Sequence, residues 1–163
     1  MDLPAAFREA MANVSAPVSV ITTMRDGVPL GSTVSAFASL SVDPPMVLIA
    51  LDNRGALVGQ IRETGRLAIN VLSDGQGDVA RRFATCGLPD RFAGIDWSED
   101  HGLPRLGGTT SFLRCDEVAF HPGGDHTVLL ATVSAAETSG LDGLTYYRRR
   151  FGSAGAGLEF PSA

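Results

Sequence analysis

No lysine occurs among the 163 residues, so all 13 basic side chains are arginine. That absence removes whole chemistries. A phosphate loop needs its lysine, a pyridoxal enzyme needs one for its Schiff base, and a kinase-like site needs one on a strand. Cysteine is scarce as well. Cys86 and Cys115 lie far apart with no CxxC pair, which argues against a disulfide framework or a zinc ribbon and leaves both as small core side chains. No apolar run approaches the ~18 residues of a membrane span, and the N-terminal MDLPAAFREA has no basic stretch followed by an apolar one. A cytoplasmic protein is expected. Basic charge is in deficit too: 13 arginines against 18 acidic residues give a net charge of -5, whereas a nucleic-acid binder needs a basic footprint.

What the chain does have is apolar residues, at 44%, and 19 glycines. The first supports a real core in one domain, expected over residues 1–152 with a flexible tail over 153–163. Leu3, Ala6, Phe7, Ala10, Met11 and Val14 recur at helical spacing, with Pro4 in the first turn. β-Rich segments follow. Residues 18–23 and 28–34 flank an Asp26-Gly27 hairpin signal. The run 46–51 is continuously apolar and reads as a central strand buried on both faces, and 67–72 reads as another buried strand. Short helices are expected from Leu57 to a stop at Gly65, and from about Gly77 to Thr85. Residues 87–108 have weak periodicity and read as a functional loop or lid. Strands at 112–120 and 127–135 would be joined by the loop His121–His126, with a last strand at 144–147. Six or seven strands with hairpin connections predict a mainly β fold, an antiparallel small barrel with peripheral helices.

Several segments invite a chemical reading. Residues 31–41, GSTVSAFASLS, carry five hydroxyl side chains among small ones beside a strand. Such a segment suits the heteroatom edge of a flat ring or a phosphate, although it also fits a solvent-facing strand. Gly75-Gln-Gly77-Asp-Val-Ala80 matches a dinucleotide fingerprint, but no apolar strand follows the helix, so a Rossmann unit is not expected. His121 and His126 flank Asp125, yet no third strong ligand has suitable spacing; no metal is expected, and His126 reads as a hydrogen-bonding residue at a strand mouth. Arg81-Arg82 and Arg148–Arg150 are the basic clusters, the second flanked by Tyr146, Tyr147 and Phe151. They fit phosphate or ring recognition, or equally a solvated strand or dimer interface. No G-x-S-x-G elbow supports a serine hydrolase.

Taken in order, Phe7–Met11, Pro17–Thr22, the segment Gly31–Pro45 ending in Asp-Pro-Pro, Leu67–Leu72, Gly124-Asp-His126 and Tyr147–Gly152 resemble the flavin reductase-like, FMN-binding split-barrel family. Members of this kind are the short reductase components of two-component flavin monooxygenases. The resemblance implies an antiparallel split β-barrel of Greek-key type, a homodimer, NADH or NADPH as reductant, and FMN or FAD as the flavin reduced and released to a separate monooxygenase. It places Thr33, Val34, Ser35 and Ala36 along the isoalloxazine edge with Ser39 and Ser41 nearby. Asp52, Asn53, Arg82, Phe83 and Ala84 would approach the ribityl phosphate. His126, with Tyr147, Arg149 and Phe151, would meet the nicotinamide nucleotide. Ala131 stands where the strand after Gly-Asp-His often has glycine, and Phe151 replaces a more usual tyrosine, which leaves the choice between NADH and NADPH open. Two other readings remain: a non-catalytic flavin carrier on the same barrel, and a related oxidase of pyridoxamine phosphate or a similar amine.

Overall fold

The computed structural model describes residues 2–85 and 91–155. Helix α1 (Leu3–Ala12) starts at Asp2, whose carboxylate accepts the Ala5 N–H at 2.9 Å, the usual way to satisfy an orphan donor of the first turn. Then come β1 (Ala16–Pro17), β2 (Ser19–Arg25), β3 (Val28–Val34), β4 (Phe37–Val42), β5 (Pro45–Asp52), α2 (Leu57–Thr64), β6 (Leu67–Val71) and α3 (Gly77–Ala84). The remainder is β7 (Trp97–Asp100), β8 (Leu103–Leu106), β9 (Ser111–Gly123), β10 (His126–Thr138), β11 (Leu144–Tyr147) and β12 (Arg150–Ser153).

Seven strands form one antiparallel sheet in the order β3-β2-β6-β9-β10-β5-β4. Its two edge strands, β3 and β4, are consecutive in the chain. Val34 and Phe37 are three Cα steps apart, at most about 11 Å, so the sheet must curl until its edges face each other. No pairing joins β3 to β4. The result is a mainly β barrel that stays open along one seam, as expected of a split barrel. A second sheet, β1-β11-β12, and the β7–β8 hairpin lie outside it.

Inside the curl, Ile21, Val47, Ile49, Leu51, Ile69 and Leu129 form the main core, closed by Leu57, Val58 and Ile61 of α2. Gly65 ends that helix in the left-handed region at φ +67, a position that glycine takes without cost. A second core, on the other face of β2, gathers Val18, Val20, Leu72, Ala80, Phe83, Phe92 and Leu106 under α3 and β8. Strand β2 is therefore buried on both faces from Ser19 to Thr23. Its hydroxyls are all satisfied: Ser19 donates to the Val34 carbonyl at 2.9 Å, Thr22 to that of Pro104 at 2.7 Å and Thr23 to that of Arg66 at 2.9 Å.

Three expectations change. Residues 46–51 do not form a central strand: β5 lies next to the edge, and only Val47, Ile49 and Leu51 are buried. The doubly covered strands are β2 and β6, because α3 and the β7–β8 hairpin pack over them. That hairpin occupies the stretch read as a lid. Leu103 and Leu106 are buried, and Asn70 Oδ1 accepts the Leu106 N–H at 2.8 Å, so residues 97–106 are structural cover. The loop expected at His121–His126 shrinks to Gly124-Asp125, since His126 pairs with Gly123, Thr127 with Pro122 and Val128 with His121. Gly124, at φ +73, supplies the bend. Strands β1, β4, β7, β8 and β12 are additional to those read from the sequence. Cys115 is buried as expected; Cys86 lies outside the described residues, as does the tail beyond Gly155. Ser153 closes β12, and the Ala154 N–H donates to the Gly143 carbonyl at 2.8 Å.

Candidate functional site

A groove of about 730 Å³ opens along the seam of the barrel, within the ~300–1,000 Å³ usual for small-molecule sites. Residues 28–34 of β3 and the link Ser35-Ala36 make one wall, Ala50–Asp52 of β5 and the turn Arg54–Leu57 the other. Ala84, Arg91 and Phe92 contribute from the α3 side, and His126 from the start of β10. The link is fixed to β5 by the Ala50 N–H, which donates to the Ala36 carbonyl at 2.9 Å and extends the β4–β5 ladder by one residue. As an edge strand, β3 presents backbone groups that no strand pairs. Gly31, Ala36, Ala50 and Ala84 keep the walls low, so a flat ring can approach them.

Antiparallel pairing of β5 with β10 puts Asp52 opposite His126. Asp52 is bound by its near neighbour Arg54: the backbone N–H reaches Oδ1 at 2.8 Å, Nε reaches Oδ1 at 3.0 Å and Nη2 reaches Oδ2 at 2.5 Å. The Arg54 side chain and backbone together hold the Asp52 carboxyl well below the usual carboxylate range. His126 Nδ1 lies 2.7 Å from Asp125 Oδ1. A carboxylate only accepts, so Nδ1 carries the proton in this contact and Nε2 is left for a ligand. Asn53 is not in the groove. Its N–H donates to the Asp125 carbonyl at 3.1 Å and its Oδ1 accepts the Thr127 hydroxyl at 2.6 Å, which pins the 52–54 turn beside His126.

Of the residues singled out in the sequence, Thr33, Val34, Ser35, Ala36, Asp52, Ala84 and His126 meet in this groove. The Thr33 hydroxyl donates to the Ala80 carbonyl at 2.7 Å, tying β3 to α3. Ser39 and Ser41 lie on β4, away from the groove lining. Phe83 is fully buried behind Gly31, in edge contact with Phe92 at 4.9 Å between centroids. Arg82 Nε donates to the Arg91 carbonyl at 2.9 Å. Tyr147, Arg149 and Phe151 belong to the β11–β12 hairpin and are not among the groove residues of this chain. There Arg149 binds Glu9 of α1 at 2.7 Å, and Phe151 packs against Tyr146 with Arg81 over its ring. The sequence reading named none of Val28–Leu30, Arg91 and Phe92 as site residues, although the last two fall within the 87–108 stretch read as a functional loop or lid. No local pattern assigns these individual side chains to a ligand: Arg91 reaches Gly31 across 60 positions of chain.

Residues 11–155 match the family described as "Flavin reductase like domain". The reductase component of a 4-nitrophenol 4-monooxygenase/4-nitrocatechol 2-monooxygenase from Rhodococcus opacus is 36% identical over 91% of this chain and 80% of its own length. Among solved structures, a homologue of nitrilotriacetate monooxygenase component B from Mycobacterium thermoresistibile superposes with a TM-score of 0.92 at 30% identity, covering 98% of this chain and 91% of that one. An NADH:FAD oxidoreductase from Streptomyces globisporus, solved with NAD and FAD fragments, gives a TM-score of 0.90 at 28% identity over 96% of each chain.

Proposed function

The chain belongs to the flavin reductase-like domain family, and from that premise we propose that the seam groove binds flavin, that NADH reduces it there, and that reduced flavin passes to a separate monooxygenase. The observation that carries this reading is the groove itself. It joins the small, hydroxyl-bearing Gly31–Ala36 edge to a mouth histidine, His126, from a strand far away in sequence.

The residues present fit a flavin: a shallow trough with an unpaired strand edge, hydroxyls at Ser32 and Ser35, and an arginine at one side. When bound, the flavin supplies an acceptor for the hydride of the nicotinamide. The chain's own contribution is positioning. Backbone groups of β3 and the Ser35 hydroxyl orient the polar edge of the ring, and donors there favour negative charge on it. His126, fixed by Asp125, offers Nε2 to orient the nicotinamide nucleotide. A flavin store would have no use for that second, oriented group. No residue of the groove is assigned a proton transfer.

A homodimer is part of the proposal. Its support is the apolar face of α1, where Leu3, Phe7 and Met11 are exposed, continued by the exposed Val14 just past the end of the helix. Arg149, bound to Glu9, and the neighbouring Arg148, bound to Ala12 and Asn13, put the bend of the β11–β12 hairpin beside α1 and near that proposed interface, whereas Phe151 packs toward Arg81 of α3.

The test is to follow NADH and NADPH oxidation at about 340 nm with FMN, FAD and riboflavin as acceptors. Flavin-dependent oxidation well above the protein-free rate is expected. Tight flavin binding without any nucleotide oxidation would leave a carrier instead.

A further inference from the structure

Two arginines line the groove, and their charges are disposed differently. Arg54 is bound to the Asp52 carboxylate in a bidentate pair, so that end of the groove carries little net charge. Arg91 has uncharged partners: Nη1 donates to the Gly31 carbonyl at 2.7 Å and Nη2 to the Thr85 carbonyl at 3.0 Å. Among the described residues no carboxylate forms an ion pair with it. These bonds hold the guanidinium against the wall and leave most of its five N–H donors for a ligand. Its own carbonyl is gripped by Arg82 Nε at 2.9 Å, so the Arg91 side chain is anchored at both ends.

We propose that Arg91 holds the phosphate of the bound flavin and is the residue by which the groove distinguishes FMN from riboflavin. The proposal rests on the groove being the flavin site. A guanidinium that no carboxylate among the described residues pairs, with its fork already oriented, is the strongest phosphate ligand a chain without lysine can offer. At the other end the phosphate would meet an ionised carboxylate, Asp52, whose arginine is already bound. The ribityl chain therefore runs toward Arg91 and Phe92 instead of toward the 52–54 turn.

The experiment is a fluorescence titration of FMN and of riboflavin with wild type, Arg91→Gln, Arg91→Lys and Arg54→Gln. In Arg91→Gln the Kd for FMN should rise about 10- to 100-fold, the worth of a hydrogen bond to a charged group, with that for riboflavin nearly unchanged. Arg91→Lys, which keeps the charge and loses the fork, should fall between. Arg54→Gln should leave the ratio of the two Kd values alone. Inorganic phosphate should compete with FMN and not with riboflavin in the wild type, a readout that needs no variant. Equal weakening of both flavins in Arg91→Gln, or a ratio that follows Arg54, overturns the proposal. A KM for NADH, measured with riboflavin as acceptor, that rises in Arg91→Gln while the FMN-to-riboflavin ratio stays put would also overturn it, by giving the arginine to the dinucleotide. Failure of wild type to bind either flavin would refute the groove assignment itself.

Discussion

A Cβ at Gly31 would lie 3.1 Å from both Cε1 of Phe83 and Cγ2 of Thr22, two fully buried side chains without room to retreat. Because Gly31 also lines the groove, Gly31→Ala is expected to cost about 1–3 kcal/mol, read as a lower melting temperature, and to weaken riboflavin binding; no change in either would mean that this wall yields freely. Asp52 carries a pH dependence. Its carboxyl is held below the usual range by Arg54, so ionised Asp52 stabilises the fold above the unfolded carboxylate value of about 4 and loses that effect as pH falls through the folded value. Denaturant titrations of wild type and Asp52→Asn should therefore differ most at neutral pH and converge in acid. A gap that stays constant down to pH ~3 would contradict the assignment. His126→Ala is expected to raise the KM for NADH by up to about tenfold, the scale of one lost hydrogen bond, with a smaller change in the flavin Kd. Equal losses would put the imidazole on the flavin.

At the scale of elements, α1 poses a physical problem that its ends only partly solve. Ten residues make a helix too short to be stable alone in water, and none of its side chains is buried. It is tied to the β11–β12 hairpin by Arg149 to Glu9, Arg148 Nε to Asn13 Oδ1 at 2.9 Å, and the Arg148 N–H to the Ala12 carbonyl at 2.8 Å. Those contacts hold its flank and leave Phe7 61% and Leu3 82% exposed. Phe7→Glu with Met11→Glu should turn a dimer into a monomer in sedimentation velocity without unfolding the barrel. An unaltered sedimentation coefficient would place the interface elsewhere. Elements of this kind were legible where periodicity or a turn residue announces them: α2 with its Gly65 stop, β6, and the Asp26-Gly27 hairpin all stand where the pattern puts them. Strand β11 stands where the last strand was read, but its hairpin partner β12 was invisible because Arg148 and Arg149 take the bend at φ +49 and +61, where Asn and Gly usually sit. Strand β4 was hidden for another reason. As an edge strand with exposed serines it carries no apolar alternation, so its composition read as a binding segment.

At the scale of the whole molecule, the seam follows from connectivity: a two-residue link between the outermost strands of a seven-stranded sheet brings the edges together without pairing them. Half of the site could be read in advance because β3 and its link are contiguous in sequence. Arg91 and Phe92 fall in a stretch read only as a functional loop, since what carries them to the groove is the packing of Phe92 between Phe83 and Trp97 and the bonds of Arg91 to Gly31 and Thr85. A ligand bound in the groove touches β3 on one wall and β5 with the 54–57 turn on the other, and can bridge what the backbone leaves unjoined. Binding to the folded state alone adds RT ln(1 + [L]/Kd), about 2.7 kcal/mol at a hundredfold excess over Kd, or roughly 5–10 °C in melting temperature for a domain of this size. Wild type should show that shift with FMN and, at matched saturation, with riboflavin. Arg91→Gln at the same FMN concentration should lose much of it, while its shift with riboflavin persists. Because the two ligands differ only in the phosphate, a variant that loses both shifts together has a damaged barrel. One that loses the FMN shift alone has lost the arginine's grip on the phosphate.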